Sequence, residues 1–172
     1  MHDGLHLSLL RFYRRLPTWA RRRVVRTISP SFTVGAICFV ERDDGALLLV
    51  RQAYRQRWGA PGGLLERGEA AADGARREVY EEVGLSVELV GEPRVVVDPE
   101  PQRVDIVFRA RVPEGVDAAV AAPHSPEIVE VRWFARDALP ELQHETVTAL
   151  LALARPGPNV AAPMPLGDLP DR

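Results

Sequence analysis

The chain has one cysteine, no lysine and no long apolar run. Cys38 alone cannot close an intramolecular bridge, which excludes a disulfide-stapled fold, favours a reducing compartment and leaves no cysteine-based zinc site. The lack of any stretch of about 18 uncharged apolar residues excludes a membrane-spanning helix. Arg11, Arg14 and Arg15 interrupt the one segment that could serve as the apolar part of a secretory signal, so a cytoplasmic location is expected. With lysine missing, all 22 basic residues are arginine, set against 24 acids for a net charge of -2. Together with the many Ala, Val and Pro residues, that absence reads as coding bias in a GC-rich genome and says nothing of mechanism. What is present, 172 residues of which 46% are hydrophobic and 27% charged, suffices for one core without staples.

The charge is unevenly placed. Residues 1–30 carry seven arginines and one acid, Asp3, which leaves the rest of the chain acidic. Leu5, Leu9, Leu10, Phe12, Tyr13, Leu16, Trp19, Val24, Val25 and Ile28 are spaced among those arginines as one or two amphipathic helices, with Pro17 opening the second. This arm is read as packing on the body or on a partner subunit of a homodimer; the competing reading lays it on an anionic surface, membrane or nucleic acid. The body, residues 31–154, begins after Ser29-Pro30. Thr33–Val40 and Ala46–Val50 predict a hairpin turning at Asp44-Gly45. Trp58-Gly59-Ala60-Pro61-Gly62-Gly63 is too rich in Gly and Pro for the interior of a helix or strand. A helix is expected from about Glu69 to Val83, ended by Gly84. Strands are expected at Val87–Val97, Val104–Val112 and Ile128–Phe134, and a last helix at Leu142–Ala154. Residues 155–172, with five prolines, are expected to lack structure. Mixed strands with one helix among them and one after them indicate an α/β or α+β sandwich with a mixed central sheet.

At ~100° per residue, Glu82 lies about 40° and Glu81 about 300° around the 69–83 helix from Glu78, so three carboxylates share a face. Ala72, Ala75, Val79 and Val83 form a separate apolar stripe. Gly74 falls inside the acidic arc, where a glycine costs about 1 kcal/mol relative to alanine, which suggests that a ligand approaches the backbone there. The carboxylates repel one another, and a hard divalent cation would relieve them; a merely solvated acidic face is the plainer alternative.

The preceding loop bears on that choice. Gly63, five residues, Glu69, seven residues and then Arg77-Glu78-Val79-Tyr80-Glu81-Glu82-Val83-Gly84-Leu85 form a complete GX5EX7REUXEEXGU signature, with Val79 and Leu85 at the aliphatic positions. On this 23-residue box the chain resembles the Nudix hydrolases, and the likeness extends more loosely over Phe32 to Ala154. The resemblance implies an α/β/α sandwich that hydrolyses a nucleoside diphosphate linked to another group, using Mg2+ or Mn2+. It implies Glu78 and Glu82 as principal metal ligands, Glu81 as a third ligand or catalytic base, and the Gly63 carbonyl as a backbone ligand. Arg77 and Glu69 resemble the pair that orients loop and helix.

The base varies within the family, being a Glu of the box or one in a loop before a late strand. Here Glu127, ahead of the Ile128 strand, is the loop candidate and Glu130 the second; both also read as ordinary surface charge. Arg51, Tyr54, Arg55 and Arg57 lie between the second strand and the glycine loop, where an arginine can clamp phosphate and an aromatic can stack on a base. Trp58 and Trp133 are read as core. Histidines 2, 6, 124 and 144 show no metal-ligand spacing, and His124, alone near the suspected loop, is read as structural or solvated. The partner expected is a small molecule linked through a nucleoside diphosphate: a triphosphate, a nucleotide sugar or an ADP-ribose type. The proline that many ADP-ribose hydrolases place 15 residues past the box is Glu100 here, flanked by Pro99 and Pro101. A nucleotide-sensing module without catalysis is the alternative; the intact box and an 18-residue tail, too short for a DNA-binding domain, count against it.

Overall fold

The sheet is built around a strand that is apolar on both faces. In the computed structural model, which describes Pro17, Thr18, Ala20, residues 31–155 and Val160–Ala161, the first strand, β1, runs Thr33–Glu41. Ala36, Cys38 and Val40 point to one side and Ile37 and Phe39 to the other, all buried. An unbroken apolar run of this kind marks a strand covered on both faces. β2 (Leu47–Gln52) returns antiparallel after a turn in which the Gly45 N–H bonds the Arg42 carbonyl at 2.8 Å, with Gly45 at φ +83. The expected hairpin is therefore present.

β3 (Gly62–Leu64), the helix α1 (Ala71–Val83), β4 (Glu88–Asp98), β5 (Arg103–Arg111), β6 (Ile128–Phe134), the helix α2 (His144–Ala154) and β7 (Val160–Ala161) follow. Among the described residues they make a seven-stranded mixed sheet in the order β6-β2-β1-β5-β4-β7, with β3 pairing β1 off that path. β1 runs parallel to β5 over nine pairs, from Thr33 with Arg103 to Glu41 with Arg111. Gly84 ends α1 in the left-handed conformation, φ +69, its N–H bonded to the Tyr80 carbonyl.

α1 packs Ala75, Val79 and Val83 against Ala36, Cys38, Val40, Leu48 and Val50. On the opposite face α2 packs Ala149, Ala152 and Leu153 against Ile37, Phe39, Leu47 and Val107. The expected α/β/α sandwich is thus observed, with the sheet as the middle layer. No helix of the described residues is long and apolar enough to cross a membrane.

The structure corrects one local reading. The glycine-rich segment does contribute a strand, β3, because Gly62 and Gly63 carry no side chain where the chain is squeezed between β1 and α1. A Cβ on Gly62 would strike the Ala36 carbonyl oxygen, and one on Gly63 would lie 2.5 Å from the Glu78 carboxylate. Within the segment expected to lack structure, Val160–Ala161 pairs in parallel with Val95–Val96. The basic arm lies outside the described residues apart from Pro17, Thr18 and Ala20, where Thr18 and Ala20 are helical.

Candidate active site

One cavity of about 410 Å³ opens where β3 meets the acidic face of α1. Glu78 and Glu82 reach it from α1, Gly62 and Gly63 from β3, and Glu127 from the loop before β6. Tyr54 and Arg55 reach it from the turn after β2, a turn tied to the Glu127 loop by the Ala53 N–H donating to the Glu127 carbonyl at 2.8 Å.

Glu82 is the most enclosed of these acids, 8% exposed, and accepts a hydrogen bond of 3.1 Å from the Gly62 N–H. Burial pushes its carboxyl from 4.5 up to about 8, and the charges of Glu78, Glu127 and Glu81 add to the rise that the Gly62 N–H opposes. Glu78 is also raised, by burial first, against the pull of Arg77.

Arg77 does not line the cavity. Its guanidinium sits behind the acids and gathers them. Nε and Nη2 clasp the two oxygens of Glu69 at 2.8 and 3.0 Å, while Nη1 donates to Glu78 at 2.8 Å and to Glu81 at 3.1 Å. Nη2 also donates to the Leu64 carbonyl at 3.2 Å, so one side chain ties α1 to the loop at Leu64 and at Glu69. Glu69 is held down at about 2 by Arg77 and, next, by the Glu66 N–H. Such a planar fork, charged at every accessible pH, is a task for arginine and not lysine.

Of the residues singled out in the sequence, Glu78, Glu82, Glu127, Gly63, Tyr54 and Arg55 meet at the cavity. Glu81 stays outside its lining, 57% exposed at the side chain and paired with Arg77. Arg51 does not reach the cavity: it stands opposite Glu130 in the β2·β6 ladder and bonds it at 3.0 and 2.6 Å, while Gln52, the next residue, turns inward. Glu130 is occupied with Arg51 and Arg132, and its pKa is lowered, chiefly by the Arg51 bond. Arg57 pairs with Glu141 at 2.7 Å. Trp58 stacks edge-on against Phe134 at 4.9 Å, and Trp133 donates to the Ala118 carbonyl at 3.2 Å. His124 is exposed and packs edge-on against Tyr80.

The reading of Gly74 is corrected as well. The group that approaches its backbone is the side chain of Leu65, which a Cβ would strike, with a Glu69 oxygen 3.0 Å away. The loop before the helix, and not a ligand, fills that space.

Sequence reasoning missed Arg103, Gln143, Glu145 and Thr146, which complete the cavity. Arg103 faces it with Nε held by both oxygens of the buried Asp105 at 2.8 and 2.9 Å. Gly35 makes that possible, since a Cβ there would lie 2.5 Å from Asp105 Oδ1 and 3.0 Å from the Gly63 carbonyl oxygen. The only local signal for this pair was Arg103 and Asp105 at alternate positions of one strand. Its meaning depends on the parallel register with β1.

The donors gathered here are carboxylates and a backbone carbonyl, hard oxygens of the kind magnesium and manganese take. Among the described residues no three His, Cys, Asp or Glu side chains form a ready-made cage.

An α/β/α sandwich that brings two box glutamates of α1 against a glycine strand places the chain in a class of mixed-sheet sandwiches whose cavity is lined by an acidic helix. The NUDIX domain model matches residues 31–152, and the chain belongs to the Nudix family, as a Nudix pyrophosphohydrolase. It is similar to a MutT-like protein of Streptomyces ambofaciens, 35% identical over 136 residues that span 78% of this chain and 85% of the relative. It is also similar to an oxidized purine nucleoside triphosphate hydrolase of Mus musculus, 34% identical over 88 residues that span 49% of this chain and 53% of the mouse protein. The crystal structure of a Nudix hydrolase from Nitrosomonas europaea superposes with a TM-score of 0.66 at 26% identity, covering 78% of this chain and 80% of that one. Nudix hydrolases generally use divalent metals.

Proposed function

We propose that this chain is a magnesium- or manganese-dependent hydrolase that cleaves the diphosphate linkage of a nucleoside diphosphate derivative: a nucleoside triphosphate, a nucleotide sugar or an ADP-ribose type of molecule. One observation carries the reading. Glu78 and Glu82 are packed together against Gly62 and Gly63 in a cavity that also holds Glu127, a concentration of acid that burial makes costly unless a cation joins it. The name of the mouse relative, a nucleoside triphosphate hydrolase, favours the triphosphate.

Glu78, Glu82 and the Gly63 carbonyl would hold the ion. When bound, it would neutralise diphosphate charge and acidify a water. Glu127 faces α1 across the cavity, close enough for its charge to act on Glu82, and takes the proton of the attacking water. Arg77 positions Glu78 and keeps Glu81 in reserve at the rim. Arg55, whose Nη1 lies 2.7 Å from Glu145, exchanges that partner for a substrate phosphate oxygen, and the exposed Tyr54 offers a ring to a base.

The test is release of phosphate and mononucleotide from a panel of ADP-ribose, nucleotide sugars, dinucleoside polyphosphates, and normal and oxidised nucleoside triphosphates, with and without magnesium. Metal-dependent turnover that falls by orders of magnitude in Glu82→Gln supports the reading. Full activity in that variant would overturn the metal assignment, and metal-dependent binding without turnover would favour the sensing module.

A further inference from the structure

Gln143 is the N-cap of α2, a position where a short side chain such as Asn, Asp or Ser accepts a hydrogen bond from the first N–H groups of its own helix. Its side chain makes no such bond. The amide is turned the other way, toward the segment that joins β2 to β3. Nε2 donates to the Arg57 carbonyl at 3.1 Å, and Oε1 accepts a long bond of 3.4 Å from Arg55 Nη1.

The same segment is stitched to α2 on either side of that amide. The Trp58 N–H donates to the Glu141 carbonyl at 3.0 Å, the Gln143 N–H to the Trp58 carbonyl at 2.8 Å, and the Ala60 N–H to Thr146 Oγ1 at 3.3 Å. Gly59 admits the amide: a Cβ there would lie 3.0 Å from Gln143 Cδ and Oε1.

The guanidinium of Arg55 is held at one nitrogen. Nη1 takes both partners, Glu145 Oε1 at 2.7 Å and Gln143 Oε1, while Nε and Nη2 make no hydrogen bond among the described residues. Those two nitrogens form an edge that can grip a phosphate at two oxygens. Of the two acceptors, Glu145 is charged and competes with an incoming phosphate. The Gln143 amide is neutral, so it keeps its hydrogen bond when Glu145 lets go. All three residues line the cavity beside α1.

We propose that Gln143 is a positioning residue for the diphosphate: it holds Arg55, and the backbone at Arg57, against the start of α2 so that the open edge of the guanidinium meets the phosphate chain, while Gln143 itself does not touch substrate. The uncapped helix marks this role, since one side chain cannot turn inward to its own helix and outward to Arg57 at once. The proposal rests on the reading of Arg55 as a phosphate ligand of the hydrolase, but it is tested by binding and not by turnover.

Calorimetric titration of the full chain in saturating magnesium with imidodiphosphate, a diphosphate whose bridge resists hydrolysis, reads the contact common to every substrate class considered above. Arg55→Ala should weaken binding about tenfold. Gln143→Asn, too short to reach Arg57 but of the right length to cap α2, should weaken it about fivefold. Gln143→Met, which keeps the length and loses both polar atoms, should do the same. The double variant Arg55→Ala with Gln143→Asn should bind no more weakly than Arg55→Ala alone, because Gln143 acts through Arg55. Thermal unfolding separates positioning from support of the fold: Gln143→Asn gains a cap as it loses the loop contact, so its Tm should stay within about 3 °C of the parent. Gln143 variants that bind like the parent would overturn the proposal, as would losses that add in the double variant, or a parent that binds imidodiphosphate no better than Arg55→Ala does. Turnover of the substrate panel together with parent-like binding by the Gln143 variants would keep the hydrolase and remove the positioning role. An Arg55-dependent loss of binding in a chain that hydrolyses nothing would do the reverse.

Discussion

Replacing Glu82 by glutamine should abolish turnover and at the same time make the metal-free protein more stable, by an amount that grows with pH. The carboxyl is almost fully enclosed, and burial together with the charges of Glu78, Glu127 and Glu81 lifts it from 4.5 to about 8. A carboxyl that holds its proton more tightly folded than unfolded contributes fully below about pH 4.5, and that contribution is lost as pH rises through 8. Glutamine keeps an acceptor for the Gly62 N–H and does not titrate. At ~1.4 kcal/mol per pH unit, the stability of Glu82→Gln relative to the parent should rise by about 2–3 kcal/mol between pH 5 and 7, and by about 4 kcal/mol between pH 5 and 9. For a domain of this size, about 3 kcal/mol corresponds to roughly 10 °C in Tm. Thermal unfolding in chelator at about pH 5, 7 and 9 measures the difference, and added millimolar magnesium should raise the Tm of the parent most at high pH and barely move the variant. A Tm difference that does not change with pH, or a variant less stable than the parent at pH 9, would refute the electrostatic reasoning.

Three further outcomes follow from the same geometry. Gly63→Ala places a Cβ 2.5 Å from the Glu78 carboxylate, so the acid must move and turnover should fall about 100-fold while the circular dichroism spectrum stays unchanged; parent-like kinetics would show that β3 does not set the position of Glu78. Arg77→Lys loses the fork on Glu69 and the reach to Leu64, and should lower kcat at least about tenfold with little change in KM. Gly74→Ala collides with the Leu65 side chain, and the strain of overpacking should exceed the gain in helix propensity, leaving the protein about 1 kcal/mol less stable in urea unfolding; a stabilised variant would show that Leu65 moves aside freely.

The parts of the molecule that were legible in the sequence are those with a local period or a local signal. The acidic face and apolar stripe of α1 were separable at ~100° per residue, and Asp44-Gly45 marked the hairpin. β3 was hidden because its glycines read as loop, although they are there to let β1 and Glu78 approach the backbone. Arg51 and Gln52 could not be told apart, since which of two neighbouring residues turns inward depends on pairing with β6. The Arg103–Asp105 pair and the outward amide of Gln143 were invisible for a similar reason. A parallel pairing between strands about seventy residues apart leaves no mark in either strand, and the side chain that begins α2 acquires meaning only once the segment before β3 lies against it.

The alternation of β1 has a consequence for how such an enzyme can diversify. Its even-numbered side chains support the helix that carries the acids, and its odd-numbered ones support α2 on the opposite face. A substitution on α2 therefore meets a different packing layer from the one that holds Glu78 and Glu82, and stability changes in the two layers should add. α2 also reaches the cavity beside α1 through Glu145 and Thr146, so a change at those two positions touches the candidate active site, whereas one at Ala152 or Leu153 touches the packing against Ile37, Phe39 and Leu47.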